Sequence, residues 1–439
     1  MSPEVQARLL ASIDAGRLVV VCGAGLSMAP PSQLPSARRV AEMCFDRYQL
    51  IADPACDPAL RTDLEALAEH FAALNTLKSV FIQRLVPWDE FVRPRNVGHA
   101  AVADFLIIRG FAASLSTNYD TLIERPAWDY GFDFQAALDG DEATVHAATQ
   151  APLLKFHGCA NRDRQATVWA RSQLKDPTIA ARIEKSKTWM AANLRERDLF
   201  VIGFWSDWNY LNTILGAALK DVTPSAVIVV DPSETAQLEQ KAPDLWAVSH
   251  AANVTFIHVQ ESGADVLDTL RRAFSRNYIR QMLAAGREAI ESELHAPINP
   301  AWAEVPDVDA ETLYGWRRDA EGVPVGSPAT AKHPINAETV GYFHLLMRRA
   351  GAQHHAEGYE IGGRTVRVVN GAGALLNVMR SKFLEAPVIP SADIVVAAGA
   401  TDVGVPADIV RRGRVGHLIR PAARGEWLDV ARARAELNV

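Results

Sequence analysis

Arg17-Leu-Val-Val-Val-Cys22-Gly23-Ala-Gly25-Leu-Ser27 is the stretch that decides the fold. The run up to Cys22 is short, apolar and β-branched, the pattern of a strand covered on both faces, as in parallel sheets beneath helices. It meets glycine at once, and glycine lets a backbone turn tightly and approach a pyrophosphate closely. Met28 stands where the third glycine of G-x-G-x-x-G would be, so this is not the turn of an ordinary dehydrogenase. Outward from it, Glu4 to Ala15 reads as an amphipathic helix, and Ser36 to Arg109 as mostly helical. Further apolar strands are expected at Phe111–Ser116, Pro152–Phe156, Leu199–Phe204, Ala226–Val230 and Val254–Val259, each beside helix-like sequence. Strands alternating with helical segments imply crossover connections, hence an α/β fold with a Rossmann-like, doubly wound parallel sheet. Such sheets bind ligands beyond the carboxyl ends of their strands.

A helical run from Ala264 to about Glu293 closes this first unit, placed at residues 1–295. The proline- and charge-rich stretch 296–334 reads as a linker region, and 335–439 as a second, smaller α/β domain with a regulatory or oligomerisation role. That domain is expected to hold a helix at Ala337–Arg349, a strand at Arg364–Val369, a helix from Ala372, a strand at Asp393–Ala397 and a terminal helix from Glu426. Its glycine turns, Asn370-Gly371-Ala-Gly373 and Ala398-Gly399-Ala-Thr-Asp402, read as plain loops before a nucleotide site is invoked, and its arginines Arg411, Arg412, Arg414, Arg420 and Arg424 as a solvated basic face.

Composition narrows the classes. With 439 residues and 49% hydrophobic content the chain can bury two cores. A formal net charge of -7 argues against generic polyanion binding, and so against direct nucleic-acid binding. No signal peptide or membrane-spanning run is legible, so a cytoplasmic protein without a membrane partner is expected. Cys22, Cys44, Cys56 and Cys159 are scattered singly, without the C-x-x-C pairs of a tetrahedral zinc site, and read as buried small hydrophobes; no metal is expected.

The chemistry-bearing segments all stand at strand ends. Ser116-Thr117-Asn118-Tyr119-Asp120 follows the second strand, with Asp120 placed to cap a helix through Leu122 and Ile123. Leu153-Leu-Lys-Phe156-His157-Gly158 ends a third strand in a histidine, a residue suited to proton transfer near neutral pH. Val201-Ile-Gly203-Phe-Trp-Ser206-Asp207 and Val229-Val230-Asp231-Pro232 end two more. Trp205 and Trp208 read as core packing rather than pocket lining.

In this order the segments resemble the sirtuin family, whose pattern runs G-A-G-x-S, T-Q-N-x-D, H-G; the resemblance covers roughly residues 4 to 275. It implies NAD⁺ as substrate, with Asn118, His157 and Asp120 catalytic. Gly23, Ala24, Gly25 and Ser27 would then lie around the pyrophosphate, Thr117, Gly203 and Ser206 along the nucleotide, and Asp231 at the adenosine ribose. Two departures matter. No C-x-x-C pair lies between Cys159 and Lys187, so the zinc ribbon of the protein deacylases is missing, and Thr117 stands where their glutamine does. Both resemble instead the sirtuin-like NAD⁺ hydrolases of bacterial anti-phage systems. The resemblance then implies abortive infection by NAD⁺ depletion, homo-oligomerisation, and a gate that is a signal-binding domain, a short Argonaute or a HerA-type ATPase. An NAD⁺-dependent protein deacylase and a non-catalytic NAD⁺ or ADP-ribose sensor or scaffold stay open as alternatives.

Overall fold

The computed structural model describes residues 1–205, 216, 223–323, 331–385, 392–401 and 425–439. Two compact units divide it: residues 1–127 with 134–270, and 128–133 with 271–439.

The first unit is built on a six-stranded, all-parallel sheet of order β3-β2-β1-β4-β5-β6. The strands are β1 Leu18–Cys22, β2 Ala113–Ser116, β3 Leu153–Leu154, β4 Asp198–Ile202, β5 Ala226–Val230 and β6 Thr255–Val259. Five lie within the segments that the apolar runs mark, and β4 begins one residue before its run, at Asp198. Every residue of β1, β4 and β5 is buried, because helices cover both faces. Helix α1 Pro3–Asp14 is capped by the Ser2 hydroxyl, and α2 Ala24–Met28 follows the glycine turn. Then come α3 Ala37–Ile51, α4 Leu64–Ala73 and α5 Val97–Ile107. The expected helical stretch is thus broken by short 3-10 and π turns. Helices α6 Glu124–Asp129, α7 Gly140–His146, α8 Pro177–Asn193, α9 Thr235–Lys241 and α10 Pro243–Ser249 lie between the later strands.

The strand order reverses between β1 and β4. From β1 the chain winds outward through β2 to β3, then returns to β4 and on to β6, so the crevice of a doubly wound sheet falls at the carboxyl ends of β1 and β4.

Helix α11 Gly263–Leu294 runs through the division between the units. The second unit holds α12 Ala310–Glu321 within the proline-rich stretch, with Leu313, Tyr314 and Trp316 buried, and α13 Ala337–Arg349. Its mixed sheet, β11-β10-β9-β8-β7, comprises β7 Gln353–His355, β8 Gly358–Ile361, β9 Arg364–Asn370, β10 Ile394–Ala398 and β11 Glu426–Leu428. The hairpin β7–β8 carries no clear alternation and is not legible beforehand. Helix α14 Leu376–Glu385 starts one turn later than Ala372, and Glu426–Leu428 is a strand rather than the start of α15 Val430–Leu437, whose cap is the Asp429 carboxylate. The turns after β9 and β10 are tied internally. Asn370 donates to the carbonyls of Ala320 and Ile335, and Asn336 to that of Ala398, at 2.9–3.1 Å. Asp402 and the five C-terminal arginines lie outside the described residues. Among the described residues no helix is long and apolar enough to cross a membrane.

Candidate functional site

The glycine turn after β1 is locked to the turn after β4 by backbone alone. Gly23 N–H donates to Ile202 O at 3.0 Å and Gly25 N–H to Gly203 O at 2.9 Å. The two turns lie so close that a Cβ on Gly203 would stand 2.4 Å from Leu26 N, and Gly203 itself has a φ of +59°. Glycine here serves close backbone packing, which brings the strand ends of the reversal point together. It also engages the Gly25 N–H, so that group serves the fold rather than a phosphate.

A cleft opens at this point, where doubly wound sheets bind their ligands. Its polar side is formed by Gly23, Ala24, Ser27, Thr117, Asn118, Asp120 and Gly203; Leu64, Phe91, Tyr119 and Trp169 supply apolar wall. Tyr119 and Trp169 stack with centroids 4.4 Å apart, and the Tyr119 hydroxyl donates to Val168 O. The segment after Cys159 thereby packs against α3 and α4 in one apolar cluster.

The polar floor is a connected network. Asn118 Nδ2 donates to Gly23 O at 3.2 Å and to Ser27 Oγ at 3.0 Å, and Ser27 Oγ donates to Asp120 Oδ2 at 3.0 Å. The fourth member is His99, which stands in no strand-end motif of the sequence. Its Nδ1 accepts from Asn96 N–H at 3.2 Å, so the neutral ring carries its proton on Nε2 and donates to Ser27 Oγ at 3.0 Å. The signal that marks His99 is the capping box it forms with Asn96 at the start of α5, a local pattern that says nothing of Ser27. Burial holds His99 down at about 4, against the pull of Asp120.

Asp120 does not cap a helix, because α6 starts only at Glu124; its Oδ1 accepts from Leu122 N–H at 3.0 Å in a turn. Beneath it lies a buried ion pair, Lys155 Nζ to Glu124 Oε1 at 2.6 Å. Burial alone would push the Lys155 ammonium down, but Glu124, Cys159 and Asp120 keep it above its usual value.

His157 is placed differently. It is 1% exposed and is not among the cleft-lining residues. Its ring packs on Phe156 at 4.3 Å, and burial, with the charge of Arg182 adding, depresses it to about 3. Asp231 directly follows β5, but its carboxylate accepts from Ser233 N–H at 2.8 Å and lies 3.5 Å from Lys241 Nζ, and it is not among the cleft-lining residues. Ser206 and Trp208 lie outside the described residues. Trp205 packs in the core and donates to Leu238 O at 2.7 Å. All four cysteines are buried. Among the described residues no three metal-ligating side chains cluster.

The buried histidines set a pH dependence. His99 at about 4 and His157 at about 3 lie below the unfolded value near 6.5, so the unfolded chain takes up the extra protons. Their contribution is complete above pH 6.5 and is lost as pH falls toward 4 and then 3. We expect urea unfolding at pH 4.5 to show a loss on the order of 2 kcal/mol per histidine relative to pH 7.5. Equal stability at the two pH values would contradict this.

Residues 112–256 match the family model described as a SIR2-like domain. No curated protein matches the chain. Among solved structures, a Sir2 homolog–NAD complex is similar at 17% identity, covering 61% of this chain and 93% of its own, with a TM-score of 0.34. A mutant Sir2 homologue–ADP ribose complex is similar at 15% identity, covering 68% and 100%, with a TM-score of 0.35.

Proposed function

We propose that the first unit binds NAD⁺ in the cleft at the carboxyl ends of β1 and β4 and hydrolyses its nicotinamide–ribose bond, giving nicotinamide and ADP-ribose. The observation that carries this reading is Asn118, fixed through its amide nitrogen to the glycine turn and to Ser27 at the floor of the cleft, inside the segment that matches the SIR2-like model. When the C1′–N bond breaks, its electron pair leaves with nicotinamide, which becomes neutral, and positive charge develops on the ribose, as in other glycosidic cleavages. Water then bonds to C1′ and gives up a proton.

In this reading Asn118 Oδ1 accepts from a ribose hydroxyl or the attacking water, and Asp120 orients the floor and offsets the developing charge. Gly23, Ala24 and Gly203 face the phosphates, with Ser27 holding Asn118 in place. Thr117 and Ser206 lie along the nucleotide, and Asp231 takes the adenosine ribose once Lys241 yields. His157 accepts the proton; from its buried position the imidazole has to turn toward the cleft, and leaving the apolar surroundings restores its basicity. NAD⁺ depletion in anti-phage defence, homo-oligomerisation and a partner-controlled gate, HerA-type ATPase or short Argonaute, extend the same proposal and rest on the motif resemblance.

The burial of His157 favours a second reading, a sensor that binds NAD⁺ or ADP-ribose without turnover. Chromatography of NAD⁺ incubated with the protein separates the two, run with and without an acyl-lysine peptide and beside His157→Ala. Peptide-independent release of nicotinamide and ADP-ribose, lost in the variant, supports hydrolysis. Binding without release supports the sensor, and release only with peptide makes the protein a deacylase.

A further inference from the structure

The loop that carries Asn118 has no regular structure of its own between β2 and α6, so its backbone polar groups must find partners elsewhere. Most find backbone or short side chains. Thr117 N–H donates to Cys22 O at 3.2 Å, Asn118 N–H to Ser116 Oγ at 3.2 Å, and Tyr119 O accepts from Ala160 N–H at 2.8 Å. Asp120 O is different. Strand β3 ends at Leu154, and the next amide, Lys155 N–H, is spent on Ala137 O at 2.8 Å, so the sheet offers this carbonyl no amide. The Lys155 ammonium donates to it instead.

That is an expensive donor. Lys155 and Glu124 are 1% and 2% exposed, and replacing a buried ion pair by apolar residues of similar size is often neutral or stabilising. Stability alone therefore does not account for a lysine here, whereas its reach to one carbonyl of the Asn118 loop does. Asp120 O is thus held from below, Oδ1 by Leu122 N–H and Oδ2 by Ser27 Oγ, so three of its oxygens are tied to three different segments. Asn118 lies two residues before it and His157 two residues beyond Lys155.

We propose that Lys155 is a positioning residue: its ammonium, neutralised by Glu124, latches the Asp120 carbonyl and so holds Asn118 in its reactive place at the cleft floor. This rests on the reading of Asn118 as the reacting amide. Asp120 and Asn118 meet the substrate; Lys155 acts only through them.

The test separates positioning from stability. Lys155→Met alone leaves Glu124 buried and unpaired, and is expected to unfold readily. Lys155→Met/Glu124→Leu removes both charges and keeps the volume, so its melting temperature should return to within a few degrees of wild type. In that double variant, hydrogen exchange of peptides spanning 117–123 should be about 10-fold faster or more, and kcat for NAD⁺ cleavage about 10-fold lower or more with KM nearly unchanged. Wild-type exchange and wild-type kcat in the folded double variant would overturn the proposal. If the wild-type protein releases no nicotinamide, the hydrolase reading fails by itself, and the exchange of the loop alone decides whether Lys155 holds it.

Discussion

Asn118→Ala is expected to lower kcat for NAD⁺ cleavage by about 10²-fold or more while the protein stays folded, since misplacing one reacting group by an ångström costs that much. The geometry specifies more than the loss of an amide. Gly23 O can only accept, so the nitrogen of Asn118 has to face it at 3.2 Å, and this fixes Oδ1 as the acceptor offered to the cleft. Asn118→Asp, nearly identical in shape, would set a carboxylate oxygen against that carbonyl and beside Ser27, and should be as inactive as alanine. An active aspartate variant would show that the amide nitrogen's bond to Gly23 is irrelevant to the reaction. Steady-state kinetics, with circular dichroism as the check on folding, measures both.

Gly203→Ala should be the most damaging small substitution in the first unit. A Cβ there would lie 2.4 Å from Leu26 N and 2.7 Å from Gly25 C, both backbone atoms that cannot rotate away, and the φ of +59° adds the cost of a left-handed alanine. The loss should be about 3 kcal/mol or more, or roughly 6–12 °C in melting temperature, with the cleft distorted because the turns after β1 and β4 can no longer approach. Gly315 is the internal control. It lies inside α12 with nothing within 4 Å of its Cβ position, so Gly315→Ala should stabilise the second unit by about 0.5–1 kcal/mol through helix propensity. Differential scanning calorimetry reads both changes, and similar effects at the two positions would contradict the packing argument.

How much of this was legible beforehand follows from what each signal encodes. The six strands of the first sheet were readable because buried parallel strands are short continuous apolar runs, and Leu18–Cys22 and Ala226–Val230 contain nothing else. Strand ends place Gly23, Asn118 and Gly203 at one rim, and all three line the same cleft. Side-chain direction was not readable. Strand β3 is only two residues long, so no alternation tells whether His157 turns to the cleft or into the core, and it turns into the core. The motif places Gly25 in a phosphate cradle, and the structure ties its N–H to Gly203 O, a partner 178 positions away that no local pattern announces. His99 was invisible for the same reason: its bond to Ser27 joins α5 to α2 across 72 residues. In the second unit, the strand Glu426–Leu428 is three residues long and owes its pairing to β10, not to its own propensity.

The most direct measurement is a crystal structure of the protein with ADP-ribose. The account predicts the diphosphate against Gly23, Ala24 and Gly203 at the carboxyl ends of β1 and β4, with a ribose hydroxyl within hydrogen-bond distance of Asn118 Oδ1. A nucleotide seated elsewhere, or a cleft that stays empty at saturating ADP-ribose while the protein is folded, would contradict it.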